Sequence, residues 1–404
     1  MLILLEILIS FIFGKSLTVF FVQDDFWLLS VSRGQTFLEV LNLFKPSSEA
    51  VWYRPLSSQV FFYLGQFFFG LNPGPYHVLV LLTHLITVYI LYKLVKQLWQ
   101  NETISLLAAF FYGTHQIHTV SLSWLAAYLF VLGPLFLVFW LKYLFEKKYH
   151  LAFWIYVLGI FTTEVFVVIP LVITLYQIIS DRKLRGGILF PYWLVAFGII
   201  WLRYIAFPTQ QISSLYNFAL TVELAGLARF YLLRLLGVPL FFETLTWPAK
   251  LISGGLVLGF GLSLVLGLWH LKKISASSRP QFYILSLLSF GTLLPFVLLP
   301  QHIAPHYLAF SLVGIAPLFA WCIWQGQQLL PKIYQQIFIV VVVAVFLVNQ
   351  IIGNQWTYQT HWLFSRAKLA KHLVEIHDLE QPVGSEEYYA LGANAAAQIY
   401  QNAR

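Results

Sequence analysis

The chain has 404 residues, of which 59% are hydrophobic, 18% aromatic and only 10% charged. A soluble domain carries about a quarter charged residues, so this composition excludes one and points to a polytopic membrane protein. The net charge of +8 does not indicate a nucleic-acid partner, because Lys and Arg cluster between apolar runs, as in the cytoplasmic loops of membrane proteins.

In chain order, the first apolar run covers 2–21, with Glu6 and Lys15 as interruptions. No small-residue cleavage site precedes Gln23, so the run reads as a retained span. A half-polar segment follows at 22–74, carrying Asp24, Asp25, Arg33, Lys45, Glu49 and Arg54. Further spans are predicted at 75–95, 103–120 and 122–141. Residues 150–180 form one apolar stretch interrupted by Thr162-Thr163-Glu164. As a single helix this stretch would be about 45 Å long, too long for a ~30 Å hydrocarbon core. It is read as two short spans meeting near Glu164, which places Lys148 and the Arg182-Lys183-Arg185 cluster on one side. Later spans are predicted at 188–207, 251–270, 282–300, 308–327 and 334–352. The connection 208–250 contains an amphipathic stretch near 222–242, and 353–404 reads as a polar, partly helical tail.

The expected fold is therefore all-α, with about eleven transmembrane helices in a domain spanning 1–352, external loops at 22–74 and 208–250, and a tail at 353–404. The short loops at 93–102, 142–150, 181–187, 270–281 and 328–333 hold half of the 24 Lys and Arg residues. Their acids are Glu102, Glu146 and Asp181. These loops alternate correctly if the amino terminus is cytoplasmic and the tail extracytoplasmic. Asp24, Asp25, Glu164, Arg229, Arg234, His302 and His306 then share the extracytoplasmic face. Without a eukaryotic retention signal, the expected location is a prokaryotic plasma membrane.

Ionisable groups at a membrane edge are functional candidates. Adjacent residues point in different directions, so Asp24 and Asp25 suggest two roles. One is a general base for an attacking hydroxyl; the other fixes a metal, a sugar hydroxyl or a neighbouring group. The alternative is an interfacial acidic pair that ends the first span. Glu164 is costly in an apolar run unless paired, and Arg203 is a candidate structural partner. Arg54, Arg229 and Arg234 suit a phosphate through their planar forks, or snorkel to lipid headgroups. Arg229 and Arg234 lie about 140° apart on a helix and are not expected to grip one phosphate together. The pairs His115/His118 and His302/His306 have spacings that permit metal ligation, so a divalent metal remains an open possibility; interfacial hydrogen bonding is the other reading. The Gly255/Gly259 spacing suggests helix packing. Cys322 lies in an apolar run without a partner cysteine. No nucleotide-binding glycine loop or GxSxG elbow is present.

Several stretches together resemble C-type (GT-C) membrane glycosyltransferases related to protein O-mannosyltransferases, including those with tetratricopeptide repeats. QDDF at 23–26 is similar to the acidic motif of that family's first external loop. YRPLSSQVFFYLGQFFFGLNPGPYHVLVLLTHL at 53–85 resembles its YRPL…LNP…YH…H block. FYGTHQIHTVSLSWLAAY at 111–128 is similar to its HP-x-H…W segment, with Gln116 where proline is usual. TTEVFVVIP at 162–170 resembles its KE…P segment, with Thr163 in place of lysine. APHYLAFSLVG at 304–314 is a weaker echo of its ERYLYLPSLG, with Pro305-His306 where Glu-Arg is common.

The resemblance covers about 20–175 well and 222–352 loosely. It implies an inverting transfer of a sugar from a polyprenyl-phosphate donor to a protein, glycan or lipid acceptor on the extracytoplasmic side. Asp24 or Asp25 would be the general base, with Glu164 a further catalytic candidate. Arg54, Arg229, Arg234 and His306 would meet the donor phosphate, and Tyr53, His77, His115 and His118 would contact substrate. A lipid-linked oligosaccharide ligase, a phospholipid-acceptor transferase and a lipid or solute transporter are the rival readings. Transport would favour inverted repeats, and none is visible.

Overall fold

The computed structural model describes residues 1–33, 37–45, 53–181, 183–206, 224–239, 242–269, 279–299, 303–376, 385–392 and 395–401. Glu49, Arg182, Lys272, Lys273, His302 and the first part of the 208–250 connection lie outside these residues. Among the described residues every regular element is helical. Among the described residues seven helices are long and apolar enough to cross a membrane: Pro73–Trp99, Leu125–Phe145, Gly186–Ile205, Trp247–Gly267, Arg279–Val297, Pro305–Gln327 and Lys332–Thr360.

The expected count of eleven is not reached by such helices, because four of the expected spans fall on shorter pieces. The first run is helical over Leu2–Phe13 and then tightens into a 3₁₀ turn, Gly14–Thr18. The expected 103–120 span stops at Gly113. There Thr114 donates its hydroxyl back to the Phe110 carbonyl, and the polar residues after it bond to distant segments. The 150–180 stretch is broken where its length required. Tyr149–Ile160 ends, Thr163 is extended, and its Oγ1 accepts the Val165 N–H to restart the chain as the turn Glu164–Val168.

The helix Pro305–Gln327 is the most enclosed of the long helices, whereas Gly186–Ile205 turns most of its surface outward. It packs against Arg279–Val297, Glu102–Gly113, Trp247–Leu268 and Leu129–Phe145. Small residues permit these approaches. A Cβ on Gly314 would collide with the Leu285 carbonyl, and one on Gly267 with the Cys322 backbone. The packing role expected of Gly255 and Gly259 falls instead to Gly267, since nothing lies within 4 Å of a Cβ at either of those positions. Lys332–Thr360 is continuous across residue 352, so the tail proper begins at the next helix, Trp362–Glu375.

The tail folds back onto the segment that follows the first apolar run. The Gln23 N–H donates to Ala390 O at 3.0 Å, and Arg33 Nη2 donates to Ile399 O at 3.0 Å. Tyr400 places its ring 6.4 Å from that of Phe26. The short helix Asp24–Val31 is thereby held between the tail on one side and the turns Leu56–Val60 and Leu125–Ala127 on the other.

Candidate active site

The site is built on Asp24–Val31, whose first turn carries both acids, where the helix dipole favours negative charge. The helix starts from an unusual residue. Gln23 has φ 52° and ψ −112°, a backbone region that glycine tolerates and other residues occupy only under constraint.

The two carboxylates have different environments. Asp25 is 1% exposed, and its oxygens accept the Val22 N–H at 3.0 Å and the Ala126 N–H at 2.7 Å. Burial raises its pKa and these two donors oppose the rise. Asp25 therefore ties the helix to the turn Leu125–Ala127. Asp24 is only partly buried. Burial pushes its pKa up to about 6, against the lowering effect of a hydrogen bond from the Gln23 side chain. The acid pair thus divides into a structural carboxylate and an accessible one poised near neutral pH.

The YRPL loop sits on the break at 161–164. The Leu56 N–H donates to Phe161 O at 3.1 Å, and Ser57 Oγ donates to Thr162 O at 2.7 Å. These bonds bring Arg54 Nε to 2.6 Å from Glu164 Oε2. Arg203, at the end of Gly186–Ala206, reaches Glu164 Oε1 at 3.4 Å. The Arg203 partnership expected from sequence is present, and Arg54 joins it. The three side chains are 23–37% exposed and sum to one positive charge. The Tyr53 hydroxyl donates to Phe44 O and its ring packs on Phe161. Thr163, at the position where the resemblance expects lysine, is fully buried and supplies no cation.

The remaining sequence candidates serve the interior. His77 lies between the carbonyls of Val19 and Leu122, 3.0 and 3.2 Å from its ring nitrogens. His115 places Nε2 3.2 Å from Leu235 O, and its Nδ1 accepts the Ile117 N–H. His118 packs among His84 and Tyr112, with Nε2 3.0 Å from Tyr112 O. All three are at most 1% exposed, and their carbonyl contacts brace the segments around the site. His306 is buried edge-on against Phe130. Arg229 is exposed on Leu224–Leu235, whereas Arg234 on the same helix is buried. Arg234 bonds to the carbonyls of Val238 and Pro239 and lies over Phe230. The two arginines face apart, as their spacing requires.

Sequence reasoning missed the amide network around Gln116. Its N–H donates to Gln350 Oε1 at 3.0 Å, and its side-chain amide donates to Gly237 O. Asn349 donates to the same carbonyl, and Asn354 bridges Thr119 and Ile12. Gly237 is at φ +90°, and a Cβ there would lie 2.6 Å from Gln350 Nε2. A signal was present, because polar Asn349, Gln350 and Asn354 recur at helical spacing in an apolar run. A small cleft beside the network is lined by Gln116, Ile117, Val120, Arg234, Val238 and Pro305.

Among the described residues no group of three or more His, Cys, Asp or Glu side chains converges on a common point. The His115/His118 spacing is satisfied by carbonyl contacts to separate segments.

Neither family models nor curated proteins match the chain. Among solved structures it is similar to ArnT from Cupriavidus metallidurans, a structure bound to undecaprenyl phosphate. The identity is 15%, the match covers 98% of this chain and 75% of that one, and the TM-score is 0.51. At that identity the likeness is one of fold. It supports the all-helical, ArnT-like architecture and leaves the narrower O-mannosyltransferase family undecided.

Proposed function

We propose that this protein is an inverting membrane glycosyltransferase that takes a sugar from a polyprenyl-phosphate donor and transfers it to an acceptor hydroxyl. The observation that carries the reading is the division of the acid pair. Asp25 is held by two backbone N–H groups, while Asp24 is only partly buried and burial pushes its pKa up to about 6, in a fold like that of a protein solved with undecaprenyl phosphate. A general base works best when its pKa lies near the operating pH.

In this mechanism Asp24 takes the proton as the acceptor oxygen attacks the anomeric carbon. The bond from that carbon to the phosphate oxygen breaks, and polyprenyl phosphate leaves as an anion. Positive groups fixed in advance at a leaving group lower the barrier without reorganisation. Arg54 and Arg203 supply them, and Glu164 holds both guanidiniums in place. Glu164 then orients the cations and is not itself the base. Arg203 stands in for the lysine that the resemblance expects at 163. Arg234 lines the neighbouring cleft and is assigned to the donor head rather than to lipid headgroups. His306 contributes packing.

The seven long apolar helices make this an integral membrane protein. We assign the site and the tail to the extracytoplasmic face of a prokaryotic plasma membrane, with the amino terminus cytoplasmic. By the same resemblance the donor would carry a hexosyl, mannosyl-like sugar and the acceptor would be a protein, glycan or lipid hydroxyl. The test is incubation of the protein in nanodiscs with radiolabelled polyprenyl-phosphate sugars and candidate acceptors. Release of polyprenyl phosphate supports the reading. Release only from a lipid-linked oligosaccharide would reassign the donor, and movement of intact donor across the bilayer would indicate transport.

A further inference from the structure

We propose that Arg366, in the tail, is a positioning residue for Asp24 and acts through the side chain of Gln23. The inference rests on the assignment of Asp24 as the reactive carboxylate. Gln23 links the two: its Oε1 accepts from Arg366 Nη1 at 3.2 Å, and its amide, on the residue directly before Asp24, acts to lower that carboxyl's pKa. An amide with its oxygen committed to a guanidinium has its N–H₂ fixed as the donor toward the carboxylate. Arg366 thus sets which face of the Gln23 amide Asp24 meets.

Arg366 is itself fixed. Its Nε and Nη2 donate to the two carboxylate oxygens of Glu386 at 2.8 and 3.0 Å, a bidentate fork. Its guanidinium lies 5.0 Å from the ring centroids of both Trp362 and Tyr389. Trp362 in turn meets Trp124 edge to face at 5.4 Å. Glu386 is largely exposed, so the ion pair alone adds little stability. Flanking aromatic rings and the planar fork make the arrangement directional.

The backbone of Gln23 shows why such a clamp is needed. Its positive φ is unfavourable for a residue with a Cβ and persists only where the surroundings enforce it. The enforcing contacts come from the tail. Ala390 O accepts the Gln23 N–H. Gly392, at φ +60°, lets the Gln23 carbonyl approach so closely that any Cβ at 392 would collide with it. The tail therefore fixes both the backbone and the side chain of the residue that precedes the reactive acid. Since Arg366 and Glu386 neutralise each other, the effect on Asp24 is geometric more than electrostatic.

The test uses full-length protein in nanodiscs, as wild type and as Arg366→Ala, Arg366→Lys, Gln23→Ala and Glu386→Gln. One readout is the rate of carbodiimide-driven coupling of glycine ethyl ester to Asp24, followed by peptide mass spectrometry. Coupling at exposed Glu102 in the same digests normalises the reagent, and the absence of coupling at Asp25, buried with both oxygens bonded, reports that the fold is intact. The expected result is coupling at Asp24 accelerated several-fold in the Ala and Lys variants, with Glu102 unchanged. Glu386→Gln, the mildest change, should fall between them and wild type. The second readout is turnover: kcat falling about 10- to 100-fold with the donor KM unchanged, as a small misplacement of a reacting group entails. Coupling at Asp24 identical to wild type in every folded variant would overturn the proposal. Accelerated coupling in a protein whose wild type releases no polyprenyl phosphate would uphold the positioning of Asp24 and remove the transferase reading.

Discussion

Replacing Asp24 by Asn should stabilise the protein, by an amount that depends on pH. Burial raises the Asp24 pKa from 3.8 to about 6, a shift equivalent to about 3 kcal/mol. Solvent that still reaches this partly buried group reduces the realised figure to roughly 1–3 kcal/mol. Below about pH 4 the folded and unfolded chains both carry the neutral acid, and the group contributes nothing. Between there and pH 6 the unfolded chain releases a proton that the folded chain retains, so stability falls as pH rises. Above pH 6 the full penalty is present. Asn carries no charge at any of these values and escapes the penalty. Thermal unfolding in detergent micelles should therefore show Asp24→Asn above wild type at pH 8, with the gap closing toward pH 4. Parallel melting curves at every pH would refute the view that burial strains this carboxylate.

Asp25→Ala should behave in the opposite way, leaving the Val22 and Ala126 N–H groups buried without an acceptor, at about 1–3 kcal/mol each; unfolding at pH 7 checks it. Arg203→Ala should lower kcat about 10- to 100-fold while leaving Glu164 paired with Arg54, consistent with about 1.5–3 kcal/mol for a charge-assisted hydrogen bond to the leaving phosphate; steady-state kinetics decide. Gln116→Pro, which installs the residue usual in the resembling family, should destabilise this chain by about 1–3 kcal/mol, because Gln350 Oε1 loses its backbone donor. Adding Gln350→Leu should recover part of that loss in a double-mutant cycle.

The sequence made the acidic pair legible because two adjacent carboxylates in so apolar a chain require a reason. It also made the break at 161–164 legible, because the length of 150–180 exceeds the bilayer. Which of the two acids is locked was not readable, since the lock comes from the Ala126 N–H, a hundred residues away. The surroundings of the histidines were equally hidden: His77 and His115 lie against the carbonyls of Val19 and Leu235, which only the tertiary fold brings near. Arg203 could be guessed as a partner for Glu164, but the Arg54 bridge needed the YRPL loop to sit on Phe161 and Thr162. Seven of the eleven expected spans are long single helices among the described residues, and the other four fall on shorter helical pieces, because hydropathy registers apolar runs whether or not the helix continues. At Gly14 and Thr114 the chain stops being α-helical inside such a run. The tail read as a polar appendage, although Ala390, Gly392 and Ile399 hold the segment that carries the acids.

The central assignment is tested most directly by polyprenyl phosphate release from a panel of radiolabelled polyprenyl-phosphate sugars, comparing wild type with Asp24→Asn and Asp25→Asn in nanodiscs. The expected result is release by wild type from one donor and its loss in folded Asp24→Asn, with the wild-type rate rising with pH through about 6 as Asp24 ionises. Wild-type turnover in Asp24→Asn would contradict the assignment of Asp24 as the base.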